Sequence, residues 1–371
     1  MSNLAFINFS GKITGPSNTL YQLVLGSNIP ENNIIVILPE KGEFYNRLKN
    51  DRIKVRIVKY PVLQRPRKIK EVYDFFVLGF YSIIRTISIL KCEKAELVHL
   101  NTILLLYAAV ASRICGTKVI THVHEQLKEN LISNIYLKII GRLSDKIIGV
   151  SSFILKSFNQ LGFKFKTRVI YNGIKGFKVS LKNDATHTIG MISFLIPWKG
   201  IKVFLKAAEL ILQEHTGRYK FIFAGDIPNN DFTGYKDRIQ NFKNGIKYNE
   251  YIEFSGFKKD IFEVLKQLDL LVVPSIYPDP APLVILESYS CGVPVFGSDI
   301  GGIPELINNK KMLFTPGDYR ELSKKIISYF DQGNDRITES QSVHEYFKNN
   351  FSSEIYIDKF KSEYKALLNE E

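Results

Sequence analysis

Two carboxylates stand eight positions apart in the stretch from Pro274 to Glu305. Asp279 lies in a proline-rich loop after the apolar run LDLLVV, and Glu287 lies within the apolar segment LVILESYSC. Carboxylate oxygens accept hydrogen bonds from neighbouring hydroxyl groups, so this pair suits a ribose and a hexose. The stretch therefore predicts a sugar-nucleotide site, whereas one isolated acid would more simply cap or solvate a helix start.

A strand, a loop and a helix must position these acids. The apolar run before Asp279 predicts a buried parallel strand, and the residues around Glu287 predict a helix with Pro282 just inside its start. Ligands of open α/β sheets bind where such strands end. We expect a diphosphate on the free amides of Leu283 and Val284, because helix N-termini attract anions. Glu287 would then meet the ribose and Asp279 the hexose.

One lysine and three histidines add further candidates. Lys199 lies in a Trp-Lys-Gly turn, where a fixed positive charge would stabilise a leaving diphosphate, although an exposed lysine can also be inert. His122 and His124 precede Glu125 at a predicted strand end, but two such ligands without nearby partners make a poor metal site, and no Asp-x-Asp motif occurs. We therefore expect metal-free chemistry, and interpret His122 and His99 as structural histidines satisfied by the backbone.

Several segments, taken in order, resemble the retaining family-four glycosyltransferases of the GT-B fold. In that family two acids eight positions apart precede a G-x-P-V strand and a G-G-x-x-E turn, as residues 292–295 and 301–305 do here. The other matching segments are GMISFLIPWKG, FIFAGD and YIEFSGF in the second half, and VITHVHE, DKIIGVS and VIYNG in the first half. Each segment alone is a weak signal, whereas the ordered set is specific.

The resemblance implies an α/β protein with two doubly wound, Rossmann-like domains that face each other across a cleft. It implies a hexosyltransferase that moves a hexose from a nucleotide diphosphate sugar to a polysaccharide, glycolipid or lipid-linked acceptor. Retention of configuration and independence of metal or other cofactor are also implied. By the resemblance, His124, Lys199 and Asp279 are the catalytic candidates. The implied nucleotide-sugar site comprises Gly15, Lys199, Phe257, Asp279, Ala281, Pro282, Leu283, Val284 and Glu287.

The chain departs from the family pattern in two segments. Phe194 stands five residues before Lys199, where the family usually has an arginine that shares the diphosphate charge. Asp279 replaces the usual glutamate, and Ala281-Pro282 replaces the Phe-Gly that often follows. These changes keep two alternatives open: a catalytically weak or inactive sugar-nucleotide-binding protein of the same fold, and a nucleotide-sugar epimerase.

Length and composition fit two globular domains. The chain has 371 residues, of which 45% are hydrophobic and 23% charged. We predict an acceptor-side domain over 1–178 and a nucleotide-sugar domain over 187–351, joined by the polar linker 173–187. Residues 352–371 should, by the resemblance, cross back onto the first domain. The first strand-to-helix turn is neither G-x-G-x-x-G nor a Walker loop, which argues against a dehydrogenase or kinase.

Short apolar runs predict the strands of both domains. In the first domain the predicted strands are 4–9, 33–38, 54–58, 97–100, 118–122, 146–150 and 168–171. In the second domain they are 188–192, 219–223, 252–255, 270–273, 293–296 and 312–314. Helical stretches lie between most of these runs, which is typical of a doubly wound parallel sheet.

Positive charge is concentrated in the amino-terminal half. The net charge is +13, and residues 1–180 hold 27 Lys or Arg against 11 acids. Eleven basic residues occur in 41–70 and an aromatic segment follows at 72–90, so we predict peripheral contact of 41–90 with an anionic membrane. The alternative to membrane contact is that 41–70 forms a solvated basic face and that 72–90 forms a buried core helix beside it. Asp74 and Arg85 interrupt the aromatic segment, so we interpret it as a core or interfacial helix and not as a span.

The sequence gives little support for a nucleic-acid partner or for secretion. No nucleic-acid-binding motif accompanies the charge, so we expect no nucleic acid. The three cysteines lack paired or metal-ligand spacing, and the first residues lack the features of a secretion signal. The sequence therefore predicts a cytoplasmic protein that sits on the inner face of the cell membrane or is free of it.

Overall fold

The computed structural model describes residues 3–27, 30, 33–61, 69–177, 186–226, 237, 245, 247–333 and 336–369, with only the backbone of 69–72 and 74. The chain forms two compact units. The first contains Met1–Gly173 and Ser353–Glu371, and the second contains Ile174–Ser352. Residues 178–185 of the predicted linker lie outside the described residues.

A seven-stranded parallel sheet forms the centre of the first unit, in the order β3-β2-β1-β4-β5-β6-β7. Its strands are β1 (Leu4–Ile7), β2 (Ile34–Leu38), β3 (Lys54–Ile57), β4 (Leu97–Leu100), β5 (Lys118–Val123), β6 (Lys146–Gly149) and β7 (Thr167–Val169). The central strands are buried along their length, as a parallel sheet covered by helices requires. The seven predicted strands are thus confirmed, with ends that agree within two residues.

Six helices precede the linker in the described part of the first unit. They are α1 (Gly15–Gly26), α2 (Glu43–Asn50), α3 (Ile69–Cys92), α4 (Leu106–Ile114), α5 (Leu131–Leu143) and α6 (Ser152–Phe158). Helix α3 packs against α4, and α4 also packs against α5. Because crossovers between parallel strands are right-handed, α3, α4 and α5 lie on one face of the sheet and α1 and α2 on the other.

The second unit repeats this plan with six parallel strands in the order β10-β9-β8-β11-β12-β13. The strands are β8 (His187–Ile192), β9 (Tyr219–Ala224), β10 (Ile252–Gly256), β11 (Leu270–Val273), β12 (Val295–Ser298) and β13 (Leu313–Phe314). Strand β12 begins two residues later than predicted, after Pro294, which has no amide hydrogen to donate to a neighbouring strand. The α/β prediction is confirmed. In each sheet the strand order reverses once, at β1/β4 and at β8/β11, and ligands of doubly wound sheets bind at such switch points.

The helices of the second unit are α7 (Ile201–Glu214), α8 (Phe262–Leu265), α9 (Leu283–Ser290), α10 (Ile303–Leu306), α11 (Tyr319–Asp331) and α12 (Arg336–Phe351). Helix α7 packs against α11, and α9 packs against α12. Helix α9 follows β11 and therefore starts at the switch point.

The last helix, α13 (Ser353–Leu368), belongs to the first unit and packs against α1. Its Tyr356, Phe360 and Tyr364 are buried in the same cluster as the side chains of β1 and β2. Glu363 is also buried, and it forms ion pairs with Lys146 at 3.2 Å and Arg168 at 2.5 Å. Both apolar burial and charge pairing therefore fix α13 to a sheet made of much earlier residues.

Candidate functional site

The switch point of the second unit carries the predicted cation and the first predicted acid. Lys199 follows β8, Asp279 follows β11, and these two strands are neighbours. The Lys199 ammonium forms a direct ion pair with Oδ2 of Asp279. An ammonium has three hydrogens, so two of them stay available to a ligand such as a diphosphate. The structure thus brings together two residues that were predicted separately.

A close backbone approach fixes the lysine loop. Gly200 has φ 77°, and a Cβ at this position would lie 1.7 Å from the carbonyl oxygen of Pro274. Only glycine fits, because other residues rarely adopt this conformation and the added atom would overlap the backbone. The Trp198 carbonyl also accepts a hydrogen bond of 2.9 Å from the Ile276 amide. Lys199 is therefore held against the end of β11.

The Gly301-Gly302 turn performs the same task for Asp279. Gly301 has φ 66°, and a Cβ there would lie 2.6 and 2.7 Å from the backbone O and N of Asp279. The Gly302 amide donates a 2.8 Å hydrogen bond to the Asp279 carbonyl. The turn between β12 and α10 thus fixes the backbone of the acid, which gives the paired glycines of the motif a physical role.

Glu287 lies in the second turn of α9, and its carboxylate has no hydrogen-bond or ion-pair partner among the described residues. The side chain keeps some contact with solvent, but burial of its carboxyl group raises the pKa to about 7. Pro282 precedes the helix as its N-cap, one position earlier than predicted, and no side chain caps the helix start. The first amides of α9, at Leu283 and Val284, are therefore uncapped next to an unpaired acid.

The remaining predicted residues of this unit lie further apart. Phe257 follows β10, which β9 and β8 separate from β11, and its ring is largely exposed. Ala281 lies in the loop before α9 and is partly buried. Phe194 is exposed in the loop after β8, so its position supplies an aromatic ring where the family has a cation. In the described part of the chain, no hydrogen bond or cation–π contact joins Phe257 or Phe194 to the Lys199–Asp279 pair.

The switch point of the first unit joins His124, a predicted site residue, to two asparagines that sequence analysis missed. Asn8, Asn101 and His124 follow β1, β4 and β5, which are adjacent strands. The Asn101 side-chain NH2 donates to Asn8 Oδ1 at 2.8 Å and to the Pro16 carbonyl at 3.0 Å. Its Oδ1 must then accept from His124 Nε2 at 3.1 Å. The available signal was an asparagine at the end of two of the apolar runs, Asn8 and Asn101.

This arrangement defines the state of His124. Burial lowers the pKa of His124 to about 3, so the ring is neutral at physiological pH. Its Nε2 carries the hydrogen that Asn101 accepts, which leaves Nδ1 as an acceptor that could receive a sugar hydroxyl. The ring of His122 packs against this ring at a tilt of 46°, with centroids 4.1 Å apart. The Asn101 contact therefore fixes both the tautomer and the orientation of the ring.

His99 and His122 are buried, but the backbone does not satisfy them as predicted. His99 Nδ1 is 2.8 Å from the hydroxyl of Tyr364 on α13, so a side chain supplies its partner. Neither ring nitrogen of His122 has a hydrogen-bond partner among the described residues. Burial lowers the pKa of His122 well below its ordinary value, and both rings are therefore neutral.

Gly15 is the first residue of α1, and this helix start caps itself. Thr14 Oγ1 accepts from the Ser17 amide at 3.3 Å, and Ser17 Oγ accepts from the Thr14 amide at 2.5 Å. Through Pro16 the turn is also bonded to Asn101. The structure therefore places Gly15 beside His124 at the same sheet edge. Within the described part of the chain, no cluster of three or more His, Cys, Asp or Glu side chains could hold a metal ion.

Two family descriptions match most of this chain. Residues 33–175 match "Glycosyltransferase Family 4", and residues 174–346 match "Glycosyl transferases group 1". Together the matches include Asn101, His124, Lys199, Asp279 and Glu287. The chain belongs to the family-four glycosyltransferases. The predicted family is thus confirmed, whereas the transferase activity and the retaining mechanism stay predictions.

Two curated relatives share about a quarter of their aligned residues with this chain. It is 27% identical over 229 residues to an uncharacterised glycosyltransferase of Methanocaldococcus jannaschii, with 60% of each chain covered. It is 24% identical over 257 residues to the Escherichia coli enzyme named UDP-Gal:alpha-D-GlcNAc-diphosphoundecaprenol alpha-1,3-galactosyltransferase, covering 62% of this chain and 64% of that one. The chain spans about half the length of the first curated relatives it matches.

A solved structure shows the same fold. The crystal structure of Anabaena HepE in complex with UDP has a TM-score of 0.82 with this glycosyltransferase, at 21% sequence identity. The likeness covers 98% of this chain and 100% of that chain. It confirms the GT-B fold of two parallel-sheet units.

Proposed function

We propose that this glycosyltransferase moves a hexose from a nucleotide diphosphate sugar to a polysaccharide, glycolipid or lipid-linked acceptor, with retained configuration and without a metal. One observation carries the proposal. The Glu287 carboxylate has no partner among the described residues, and it lies one turn inside the uncapped start of α9. An unpaired acid in a crowded environment costs stability unless a ligand supplies the missing hydrogen bonds.

A nucleotide diphosphate supplies complementary groups. Its two ribose hydroxyls can donate to Glu287, and its phosphates can accept from the amides of Leu283 and Val284 at the positive end of the α9 dipole. Lys199, held by Asp279 and by the close contact at Gly200, contributes the remaining positive charge. Asp279 Oδ2 is engaged with Lys199, so Oδ1 is the oxygen available to a hexose hydroxyl.

The transfer step requires no covalent intermediate with the protein. The bond between sugar C1 and the diphosphate oxygen breaks, and its electron pair leaves with the diphosphate. The acceptor hydroxyl forms the new C1–O bond from the same face, and its proton passes to the departing phosphate oxygen. Charge on that oxygen grows along the reaction, so Lys199 stabilises the transition state more than the bound donor. Same-face attack gives retention.

Two names among the similar proteins support the donor and acceptor classes. HepE was crystallised with UDP, and the Escherichia coli galactosyltransferase is named for a UDP sugar and a diphospholipid-linked sugar. We therefore place UDP-hexoses first among donors and lipid-linked sugars first among acceptors. The three cysteines are free thiols, which suits the reducing cytoplasm that we propose as the compartment.

A donor panel tests this function. UDP-glucose, UDP-galactose and GDP-mannose are first screened by thermal shift, and each stabilising donor is then incubated with a diphospholipid-linked sugar, with and without EDTA. We expect a glycosylated lipid whose anomeric configuration, measured by NMR, equals that of the donor. EDTA should leave the rate unchanged, and Glu287→Gln should reduce the thermal shift.

Other outcomes reject specific parts of the proposal. Binding without transfer or donor hydrolysis would establish a sugar-nucleotide-binding protein, the alternative that Phe194 favours. A new nucleotide sugar formed without acceptor would establish an epimerase. An inverted product would exclude retention, and loss of activity in EDTA would exclude metal independence.

A further inference from the structure

Helix α3 exposes a continuous apolar stripe. Six large apolar side chains recur at spacings of three and four residues, so they share one side of the helix. They are Tyr73, Phe76, Val77, Phe80, Tyr81 and Ile84, and each is between 50% and 67% exposed. Aromatic residues of this size normally bury most of their surface, so a stripe this long marks an interaction site.

The opposite side of α3 packs along its own unit. A Cβ at Gly79 would lie 2.3 Å from the ring of Tyr107 on α4, so the two helices are in close contact. Thr86 is buried and lies 2.8 Å from the hydroxyl of Tyr60. The stretch Phe75–Cys92 is long and apolar enough to cross a membrane, and 28% of it is buried within the unit. Because one side is packed against α4, the helix can lie on a bilayer but cannot cross it.

Helix α5 exposes a second stripe that is both apolar and basic. Leu131, Ile132 and Ile135 are exposed, and Lys138 and Arg142 are exposed further along the helix. No acidic residue occurs between Leu131 and Leu143. Helix α4 packs against both α3 and α5, and all three lie on the same face of the sheet. The two stripes therefore belong to one surface, which we call the α3/α5 face.

The basic segment predicted from sequence contributes less than expected. Lys54 and Arg56 both pair with Glu93, at 2.6 and 3.4 Å, and Arg47 is bonded to Asn18 at 3.0 Å. Residues 62–68 lie outside the described residues. Free positive charge beside exposed apolar side chains is instead present at Lys138 and Arg142.

We propose that the α3/α5 face docks on an anionic lipid bilayer, with α3 in the plane of the headgroups. Aromatic side chains and lysine or arginine are the residues that favour the boundary between lipid headgroups and acyl chains. Basic side chains without acids select anionic lipid. A second copy of the chain is a poorer occupant, since a symmetric pairing would bring Lys138 and Arg142 against like charges. Helix α5 begins seven residues after His124, so the docked face adjoins the sheet edge that holds the histidine.

Vesicle flotation of the full chain tests this docking. Phosphatidylcholine vesicles are compared with vesicles that contain about a third phosphatidylglycerol, at low and high salt. We expect flotation with the anionic vesicles only, weakened by salt. The double variants Phe76→Ser/Phe80→Ser and Lys138→Glu/Arg142→Glu should each lower the partition coefficient roughly tenfold. Both pairs are exposed, so melting temperatures should not change.

Matched substitutions elsewhere serve as controls. Leu25→Ser removes an exposed apolar side chain on α1, across the sheet, and Lys324→Glu reverses an exposed charge on α11. Both should float like the unchanged protein. Equal flotation with neutral and anionic vesicles, or flotation with neither, would overturn the proposal. So would attachment that resists high salt and alkaline carbonate, or a dimer in solution that Phe76→Ser/Phe80→Ser dissociates. Sugar transfer to a soluble acceptor does not require the protein to be on a membrane. A failed flotation experiment would therefore reject membrane docking without rejecting the proposed transferase function.

Discussion

The two switch points of this glycosyltransferase have the same place in the same strand order but treat their polar groups in opposite ways. In the first unit Asn101 is bonded to Asn8, Pro16 and His124, and Thr14 caps the start of α1. In the second unit the start of α9 has no side-chain cap, and Glu287 has no partner among the described residues.

Because of this difference, we expect the polar groups of the first unit to act on folding stability and those of the second unit to act on nucleotide affinity. A buried polar group that is already bonded contributes to the free energy of folding, whereas an unpaired one lowers it until a ligand binds. We infer that the first edge is a preformed neutral surface for hydroxyl groups. In the proposed function, the second edge is a charged site that a bound nucleotide would complete. Substitutions at the two edges should therefore change different measured quantities.

The largest effect should come from Lys199→Ala. In the proposed mechanism the ammonium stabilises the charge that develops on the leaving diphosphate. Phe194 stands where an arginine would share that charge, so kcat should fall by on the order of a hundredfold. The melting temperature should stay within about a degree. Lys202→Ala, an exposed lysine on α7, is the control and should leave kcat unchanged. Turnover that survives in Lys199→Ala would show that another cation acts on the diphosphate.

Asn101→Ala should show the opposite pattern. Asn101 is 1% exposed, and its loss leaves the polar atoms of Asn8, Pro16 and His124 without partners. We expect the free energy of unfolding to fall by about 2 kcal/mol. Affinity of the second unit for a nucleoside diphosphate should not change. Asn46→Ala, on the exposed side of α2, is the matched control. If nucleotide affinity falls instead, the division between the two edges is wrong.

Glu287→Gln should remove a pH dependence. Burial raises the Glu287 pKa to about 7 from 4.5, so between those values the folded protein binds the proton more tightly than the unfolded chain. The free energy of unfolding should therefore fall as pH rises through this window and level off above it. Nucleotide affinity should rise over the same window, because ribose hydroxyls donate to the ionised carboxylate.

Calorimetry across pH measures both trends for Glu287. The Gln variant should lack both, and above pH 7 it should bind the nucleotide about tenfold more weakly, or by about 1.4 kcal/mol. Glu263→Gln, an exposed acid on α8, should behave like the unchanged protein. An affinity that does not depend on pH in the unchanged protein would contradict the ribose assignment.

The smallest effect should come from Thr14→Ala. Loss of the N-cap should destabilise the first unit by about 1 kcal/mol, and Thr14→Ser should restore it because serine caps equally well. Neither variant should change nucleotide affinity. A thermal melt measures the loss of stability, and a binding titration measures nucleotide affinity. A weaker affinity in Thr14→Ala alone would show that the start of α1 also takes part in nucleotide binding.

Apolar runs were enough to predict the strands, because a buried parallel strand must be aliphatic on both faces. The site residues with motif spacing, Lys199, Asp279 and Glu287, were also found at strand ends or in the first turns of a helix. Asn8 and Asn101 were missed, since an asparagine after a strand is equally typical of a turn. Their bond joins residues 93 positions apart, and pairing at that separation appears only when strand order is known.

The environment of α3 was the least predictable part of the fold. Its sequence is apolar enough for a core helix, an interfacial helix or a membrane span. Composition alone does not show whether each side of the helix packs against protein, lipid or water. The structure distinguishes the sides, because Gly79 and Thr86 face the unit whereas Phe76 and Phe80 are exposed. Likewise, the sequence does not predict which of the eleven basic residues in 41–70 form ion pairs with Glu93.

The position of α13 has a consequence for how the chain is made. The second unit is continuous, from Ile174 to Ser352, so all of it has been synthesised before α13 follows. The first unit must wait for that helix, since Tyr356, Phe360 and Tyr364 complete its core. The sheet of the first unit is thus translated before the second unit but completed after it. While the second unit emerges from the ribosome, the apolar surface that α13 later covers stays exposed on that sheet. The first unit is therefore closed by the emergence of α13 and not by that of its own strands.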